Sequence, residues 1–344
     1  MAGKITDIYV NITTTHPVAA IGLGVPGIFV VGDALNDQHY TSLEALTADY
    51  DNGTDVYKAA KAYFDQPNAG KSIEVITYTA SKTDDTTKVT TGGISEAATA
   101  YYWGAWHFAV LATYNAADAL ELSNYIETQN EKFFVVQQAK LEDLTQFAKN
   151  TRTITFYHLA ADERLDMAVL GRVGNKDVGS VTWKSKGDLV GITEDKLTYL
   201  QYSAAETAHA IAYVSKGNKV VTSNGWTASG AWIDQLHGID WVKENIELQL
   251  QDLLNQEDKV AFDDTGFAQL EQVVEQVLSN AYAQGIVAYD ATSKGGAYTV
   301  TFDKLADVPA EDIANREYNG IHWSYTPSDA VHNMNVYGTI NYAA

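Results

Sequence analysis

The residues that could do chemistry are few and widely spaced along the chain. Gly22, Gly24 and Gly27 match the spacing of a dinucleotide-binding loop. Such a loop follows a strand and opens a helix, because the helix N-terminus then binds the phosphates. Here the glycines precede an apolar run that predicts a strand, and no P-loop lysine–serine pair occurs. We therefore do not expect a nucleotide cofactor.

Histidines and paired acidic residues give no stronger signal. The 8 histidines form neither a His-x-Glu nor a His-x-x-x-His pair, and the chain has 0 Cys, which excludes disulfides and thiolate ligands. Adjacent acids at 162–163 and 263–264 are typical of helix starts and solvated turns. Neither a nucleophile elbow nor a calcium loop is present. We expect no catalytic residue, no metal and no cofactor, and hence a protein that is not an enzyme.

The composition of the chain argues against some classes of binding partner. The chain has 344 residues, of which 46% are hydrophobic and 19% charged, so it can bury a sizeable core. Its formal net charge of −21 should repel phosphate backbones and anionic lipid. No run of about twenty apolar residues occurs, and the N-terminus lacks the apolar core of a signal peptide. We expect no nucleic-acid partner and no membrane partner.

The first part of the chain is predicted to mix strands and helices. Apolar residues at Ile8, Val10 and Ile12 alternate with polar ones, which predicts a half-buried strand over 5–13. Strands are also predicted at 27–32 and 73–78, and helices at 42–50 and 55–64. The polar stretch 80–93 indicates a domain or subdomain boundary.

Strands and helices then alternate with short connections. The predicted strands are 108–112, 132–136 and 153–157, and the predicted helices are 95–103, 116–127, 141–149 and 162–173. This alternation is typical of parallel α/β units. The loop-rich stretch 174–231 has strand-like pieces at 181–183 and 219–221 and a predicted helix at 204–213.

A loop with two tryptophans leads into the clearest helix of the chain. The loop carries Trp226 and Trp232, and Trp241 lies in the helix. Asp240 is expected to cap that helix, and residues 243 and 244 to face water. The apolar stripe that predicts the helix consists of Ile239, Val242, Ile246, Leu250 and Leu253.

The chain ends as it begins, with an alternating pattern. A helix is predicted over 265–283 with Gly285 ending it, followed by strands at 286–289 and 298–302 and a short helix at 309–316. The tail 332–342 predicts a strand, whose apolar side consists of Met334, Val336, Ile340 and Tyr342. A terminal strand can join its own sheet or complete the sheet of a neighbouring molecule, and the residues leave both open.

The order of these landmarks resembles that of contractile tail sheath proteins of bacteriophages and phage-tail-like particles, in their compact form. The resemblance covers nearly the whole chain and depends on order and spacing more than on any one motif. The segments that carry it are GIFVVG at 27–32, YTSL at 40–43, YKAAKAYF at 57–64, GDLVGIT at 187–193, SGAWID at 229–234, GIDW at 238–241, NR at 315–316, AVH at 330–332 and GTI at 338–340.

The resemblance implies a structural machine with an α/β (α+β) fold. Subunits would stack as hexameric discs around a tail tube, with the baseplate and the tail terminator as further partners. Contraction would drive the tube through the host envelope. The protein would reside in the virion tail after assembly in the host bacterial cytoplasm. Large protruding insertions, which larger sheath proteins carry, have no room in this chain.

The resemblance also implies a division of the chain. It consists of an N-terminal strand arm (1–20), an N-terminal α/β part (21–80), an outer α/β subdomain (81–180), a C-terminal core facing the tube (181–331) and a C-terminal strand arm (332–344). The arms would exchange strands between subunits. The three tryptophans are interpreted as core and subunit-contact anchors, although all three could pack only within the domain. Glu271 and Glu275 are expected to face the tube.

Two other classes remain as alternatives. The first is another tail structural protein, such as a tube or terminator subunit, or a surface-layer-like assembly. The α/β run at 108–157 speaks against a tube protein, because tube proteins are shorter and mostly β. A nucleotide-dependent α/β enzyme would bind a saturable ligand, whereas a sheath subunit would not.

Overall fold

The computed structural model describes residues 23–83, 90–174 and 176–338. The predicted strand over 5–13, with Ile8, Val10 and Ile12, lies outside these residues, as do Ile340 and Tyr342. The strands in chain order are β1 (Pro26–Val31), β2 (Asn36–Tyr40), β3 (Ile73–Tyr78), β4 (Lys82–Thr83), β5 (Thr90–Thr91), β6 (Phe108–Leu111), β7 (Phe133–Gln138), β8 (Thr153–Tyr157), β9 (Ile211–Lys216), β10 (Lys219–Thr222), β11 (Tyr289–Asp290), β12 (Gly295–Gly296), β13 (Tyr298–Phe302) and β14 (Ile321–Tyr325).

Helices separate most of these strands. They are α1 (Leu43–Leu46), α2 (Asp55–Phe64), α3 (Ile94–Tyr101), α4 (Ala116–Gln129), α5 (Leu165–Val173), α6 (Tyr199–Thr207), α7 (Ile233–Gln256), α8 (Asp264–Gln284) and α9 (Ala310–Asn315). Two short 3-10 helices span Leu141–Phe147 and Leu305–Asp307. Side-chain caps begin several of them; Thr54 accepts from Tyr57 N, and Asn115 accepts from Ala117 N.

One large sheet organises the described part of the chain, in the order β10-β9-β8-β7-β6-β1-β3-β2. Strands β9, β8, β7, β6, β1 and β3 run parallel, and β2 and β10 are antiparallel at the two edges. In register, Ile28 of β1 lies between Val75 of β3 and Val110 of β6. The chain winds outward from β1 in both directions, which is the doubly wound α/β arrangement.

Both faces of this sheet are covered. Ile28, Val75 and Phe156 point to the face that α2 and α5 cover, whereas Phe29 and Phe134 point to the face of α3 and α4. Because successive strand residues point to opposite faces, sheets covered on both sides need continuous apolar strands. The sequence FAVL of β6 is buried throughout for that reason.

Most of the predicted elements are confirmed. Helix 55–64 and strands 73–78, 153–157 and 298–302 have the predicted limits, and Gly285 ends α8 with φ 86°. Some predictions were wrong. The helix predicted at 204–213 is α6 followed by β9, the piece at 181–183 forms no strand, and β2 and β14 were not predicted. The large sheet contains strands from both sides of residues 80 and 180, because β1 pairs with β6 and β8 pairs with β9; the predicted division of the chain stays a prediction.

Candidate assembly interface

The C-terminal part of the chain forms a second, smaller core. Helices α7 and α8 pack against each other, and their apolar faces enclose Trp241, Ile246 and Val277. The two-stranded sheet β13–β14 lies on α8. Its strands are half-buried at every other residue and exposed in between. One face of this small sheet therefore lies on the core and the other faces solvent.

The β13–β14 sheet leaves its two outer edges open. Tyr298 pairs with Tyr325 and Phe302 with Ile321, and no other described strand joins the sheet. In an antiparallel pair, alternate backbone N–H and C=O groups point outward, so each edge offers a row of free hydrogen-bonding groups. The edges can bind an additional extended strand by β-augmentation.

The described part of the C-terminal tail has fewer contacts with the rest of the chain the further it runs. Ser328 N donates to Ile286 O at 2.8 Å, and Lys184 Nζ donates to the carbonyl of His332 at 2.9 Å. Beyond Asn333, residues up to 338 form no strand, and Met334 and Val336 are 77% and 83% exposed. An uncovered segment with alternating apolar residues is the kind of strand that a sheet edge binds.

The three tryptophans have different surroundings. Trp226 and Trp232 are half-buried and stack with their ring centroids 6.0 Å apart, and Trp232 meets the ring of His332 edge-on at 4.4 Å. Trp241 is 6% exposed and lies in the core between α7 and α8. Contact with another subunit is thus open to Trp226 and Trp232, while Trp241 packs inside its own chain.

The expectation for Asp240 was wrong. Helix α7 begins at Ile233, so Asp240 lies two turns inside it and is buried. Its carboxylate accepts from Arg152 Nη1 at 2.7 Å and lies 3.2 Å from His107 Nε2. Burial of His107 lowers its pKa despite the nearby carboxylate. The guanidinium donates to Asp240, whereas His107 Nε2 lies beside the carboxylate without a hydrogen-bond partner among the described residues.

The charged residues that follow Asp240 also face inward, contrary to expectation. Lys243 is 6% exposed and forms an ion pair with Glu131, at the loop before β7. Burial raises the pKa of Glu244 and, on the facing loop, lowers that of Lys132. The apolar stripe predicted only one buried face, whereas α7 is enclosed by α8 on one side and by the large sheet on the other.

Glu271 and Glu275 lie on α8 one turn apart. Glu275 is exposed and Glu271 half-buried. Their face of the helix also carries Gln272 and Gln276, which are exposed. The arrangement is an acidic, hydrogen-bonding stripe without bulky apolar residues.

The residues that the sequence offered as candidates for chemistry do not come together in one site. Gly24 and Gly27 run into β1, where a Cβ would lie 2.4 Å from Gly174 O and 2.8 Å from Trp106 Cγ, so packing explains both glycines. Within residues 23–83, 90–174 and 176–338, no group of three His, Asp or Glu residues is placed to hold a metal ion. In the same ranges, no helix is long and apolar enough to cross a membrane.

A cleft of about 320 Å³ lies where doubly wound folds bind ligands, at the carboxyl ends of β6 and β7. Two of its charged groups, Arg164 and Asp166, are engaged with each other. Arg164 donates to the carbonyls of Leu111 and Ala112 and forms a two-point ion pair with Asp166. These contacts hold the strand ends in place.

His158 forms two buried hydrogen-bonding contacts that its sequence context did not reveal. Its Nδ1 lies 2.9 Å from Asp195 Oδ2 and its Nε2 lies 3.0 Å from Glu163 Oε2. Burial by itself lowers the pKa of His158, but hydrogen bonds and charge from Asp195 and Glu163 raise it overall. The protonated ring can donate to both carboxylates and so joins the loop after β8 to residues 193–195.

Comparison with known proteins identifies the fold. No family model matches the sequence, and no curated protein matches it. A chain of the anti-feeding prophage baseplate matches with a TM-score of 0.70 and 13% identity, covering 98% of this chain and 99% of that chain. The helical sheath of the same particle in its contracted state gives 0.70 and 12%, covering 96% and 98%.

A bacterial sheath protein matches as well. The sheath tail protein from Desulfitobacterium hafniense has a TM-score of 0.57 and 9% identity, covering 86% of this chain and 94% of that chain. The predicted α/β fold class and the predicted sheath-like architecture are therefore confirmed. The chain has the fold of contractile tail sheath proteins.

Proposed function

We propose that this protein is the structural subunit of a contractile tail sheath. The observation that carries the proposal is the match in fold over 98% of this chain and 99% of a chain from the anti-feeding prophage baseplate. The proposed function is to assemble with copies of itself and to change shape during contraction.

Copies of the chain would assemble as stacked hexameric discs around a tail tube, between a baseplate and a tail terminator. The proposed bonds between copies are exchanged strands, from the arms 1–20 and 332–344. Two observations support this part: the open edges of β13–β14, and the uncovered tail with Met334 and Val336 on one side. Backbone hydrogen bonds between strands are directional but allow hinging, so they can persist during contraction.

Contraction would be a change between two packings of the same subunits. Each subunit needs to release only a few kcal/mol, because many act in series, and two packings of one sequence often differ by such an amount. In the particle, the α/β part 81–180 would lie outside and the C-terminal core 181–331 would face the tube. The place of action is the virion tail, after assembly in the cytoplasm of the host bacterium.

Negative-stain electron microscopy of the purified protein tests the assembly. We expect helical tubes from the full chain and folded monomers after deletion of residues 332–344. A truncated chain that still formed tubes would remove the strand-exchange proposal. Failure of the full chain to form any ordered polymer, alone or with its tube protein, would contradict the sheath assignment itself.

A matched pair of variants tests which side of the tail strand binds. Met334→Asp combined with Val336→Asp places two charges on the apolar side, and we expect it to block tube formation. Asn333→Asp combined with Asn335→Asp adds the same charge on the other side, and we expect tubes to form. Equal loss in both pairs would mean that charge alone, not strand insertion, prevents assembly.

The contact with the tube is proposed to be electrostatic and to involve α8. Glu271→Gln combined with Glu275→Gln should weaken co-sedimentation with the tube protein, and salt should weaken it in the unchanged protein. Glu121→Gln combined with Glu142→Gln is the matched control on the outer part, since both residues are exposed. Binding that is insensitive to molar salt would exclude a charge-based contact.

A further inference from the structure

Residues close to each chain end contact the start of α7. His237 Nε2 lies 2.7 Å from the carbonyl oxygen of Leu23, the first described residue. Trp232, which directly precedes the helix, packs against His332 at 4.4 Å between ring centroids. From residue 232 to residue 237 a helix rises about 8 Å. Leu23 and His332 are therefore both held within that short length of one helix.

A third contact ties the tail to the same turns. Gln235 Nε2 donates to Asp329 Oδ1. Nearby, Gly238 has no room for a side chain, because a Cβ would lie 2.9 Å from Ile286 Cγ2. The carbonyl of Ile286 in turn accepts from Ser328 N at 2.8 Å. Residues 328–329 of the tail, the segment after α8 and the start of α7 thus pack against one another.

The same helix is anchored in the large sheet just beyond these contacts. Asp240 forms the buried ion pair with Arg152 at the start of β8, and Lys243 pairs with Glu131 before β7. Upstream, the loop that carries Trp226 is hydrogen-bonded to the sheet by Ala228 N, which donates to Thr153 O at 2.7 Å. A displacement of the start of α7 cannot occur without moving these strands.

We propose that the first two turns of α7 form a clamp that couples both chain ends to each other and to the α/β body. The proposal rests on the proposed function only in that neighbouring subunits would pull on the arms. The coupling itself is a property of the single chain. The clamp would let a movement of one arm reach the other arm and the outer part of the same subunit.

His332 is the pivot of the C-terminal arm in this clamp. Both of its ring nitrogens are buried without a hydrogen-bond partner among the described residues, so packing on Trp232 holds the ring. Lys184 fixes the backbone at the same residue through the His332 carbonyl. A ring held by packing alone can turn on its neighbour, whereas the chain beyond Asn333 is exposed.

Hydrogen–deuterium exchange on the unassembled full chain tests the clamp. In His332→Ala, amides of residues 326–333 should exchange about two- to tenfold faster, as expected when an aromatic pair is lost. The distinguishing result is faster exchange at residues 23–25 as well, because coupling between two sites is reciprocal. His322→Ala is the matched control, since His322 lies exposed on β14, away from α7.

Faster exchange confined to residues 326–333 would overturn the clamp, because the two chain ends would then be held independently of each other. If His332→Ala loses its near-ultraviolet circular dichroism, Gln235→Ala gives the same comparison, because it removes only an exposed hydrogen bond. The result is independent of polymer formation. Tubes without coupling would refute the clamp alone, and coupling without tubes would refute the sheath assignment alone.

Discussion

Replacing Asp240 by alanine should be among the most damaging single changes in the chain. The side chain is 4% exposed, and its partner Arg152 is 3% exposed. The remaining contacts of the guanidinium are the amide oxygen of Asn130 at 2.8 Å and the ring of Phe133 at 5.1 Å. Neither carries a negative charge, and the Glu127 carboxylate accepts only from the Arg152 backbone N, so the variant would leave the guanidinium without a directly paired carboxylate.

The expected cost is about 3–5 kcal/mol, the usual effect of removing one partner from a buried ion pair. An exposed pair should cost far less. Lys61 lies on α2 and pairs with Asp65, which directly follows the helix; their side chains are 49% and 34% exposed, so Asp65→Ala should cost at most about 1 kcal/mol. Replacing both buried partners, with Arg152→Met and Asp240→Leu, should recover most of the loss because neither charge of this pair then remains buried.

Urea unfolding of the unassembled chain at pH 7, followed by tryptophan fluorescence, measures these differences. With an unchanged slope, the shift in midpoint gives the change in unfolding free energy. The double-mutant cycle then gives the coupling energy between Arg152 and Asp240. An Asp240→Ala variant no less stable than Asp65→Ala would refute the reasoning that this pair anchors α7 to the large sheet.

Two further predictions concern stability. Burial lowers the pKa of His158 in the folded state, but Asp195 and Glu163 raise it overall, so the stabilisation from His158 should be full below pH about 6.5 and lost as pH rises through the folded pKa. The unfolding free energy of His158→Gln should lack that decline. A pH profile of the unfolding free energy that is identical in the variant and the unchanged protein would contradict this prediction. Gly171→Ala places a Cβ 2.3 Å from a carbonyl of α2 and should cost about 1–3 kcal/mol in thermal unfolding, whereas Gly53→Ala meets nothing within 4 Å and should be nearly neutral.

The large sheet was predictable because its signals are local. Continuous apolar runs such as 73–78 and the alternation with helices identify parallel strands without any tertiary information. Helix α2 has the predicted limits since its cap, Thr54, and its apolar face agree. The order of the strands was not predictable in the same way. It places β1 between β3 and β6, and no local pattern in the sequence records which strands pair.

The errors occur where tertiary contacts override local preference. Strand β9 was predicted as the end of a helix because alanines at 204, 205, 208 and 210 favour a helix on their own. In the structure His209 adopts φ 52°, which ends the helical segment, and Ile211 pairs beside β8. Strand β2 is mostly polar because it lies at the sheet edge, so it lacks an apolar signal.

For the assembly site, the sequence identified the segments but not their contacts. Met334 and Val336 were singled out by alternation, and Trp226 and Trp232 by residue type, and the contact through His332 joins these two groups. Nothing in the sequence spacing reveals that contact, because it joins residues one hundred positions apart. Likewise, an aspartate within an apolar helix stripe was a signal of a buried ion pair, and only the distant Arg152 explains it.

The large sheet and the C-terminal part of the chain differ in how fully their strand edges and apolar surfaces are covered. This difference indicates where assembly occurs. The parallel strands of the large sheet are buried on both faces and have neighbours on both edges. The β13–β14 sheet has two open edges, and the tail that follows it leaves Met334 and Val336 uncovered. Apolar surface and backbone groups left in water favour a partner that covers them. We therefore expect subunits to move during contraction as rigid α/β bodies, while the C-terminal part keeps their connections.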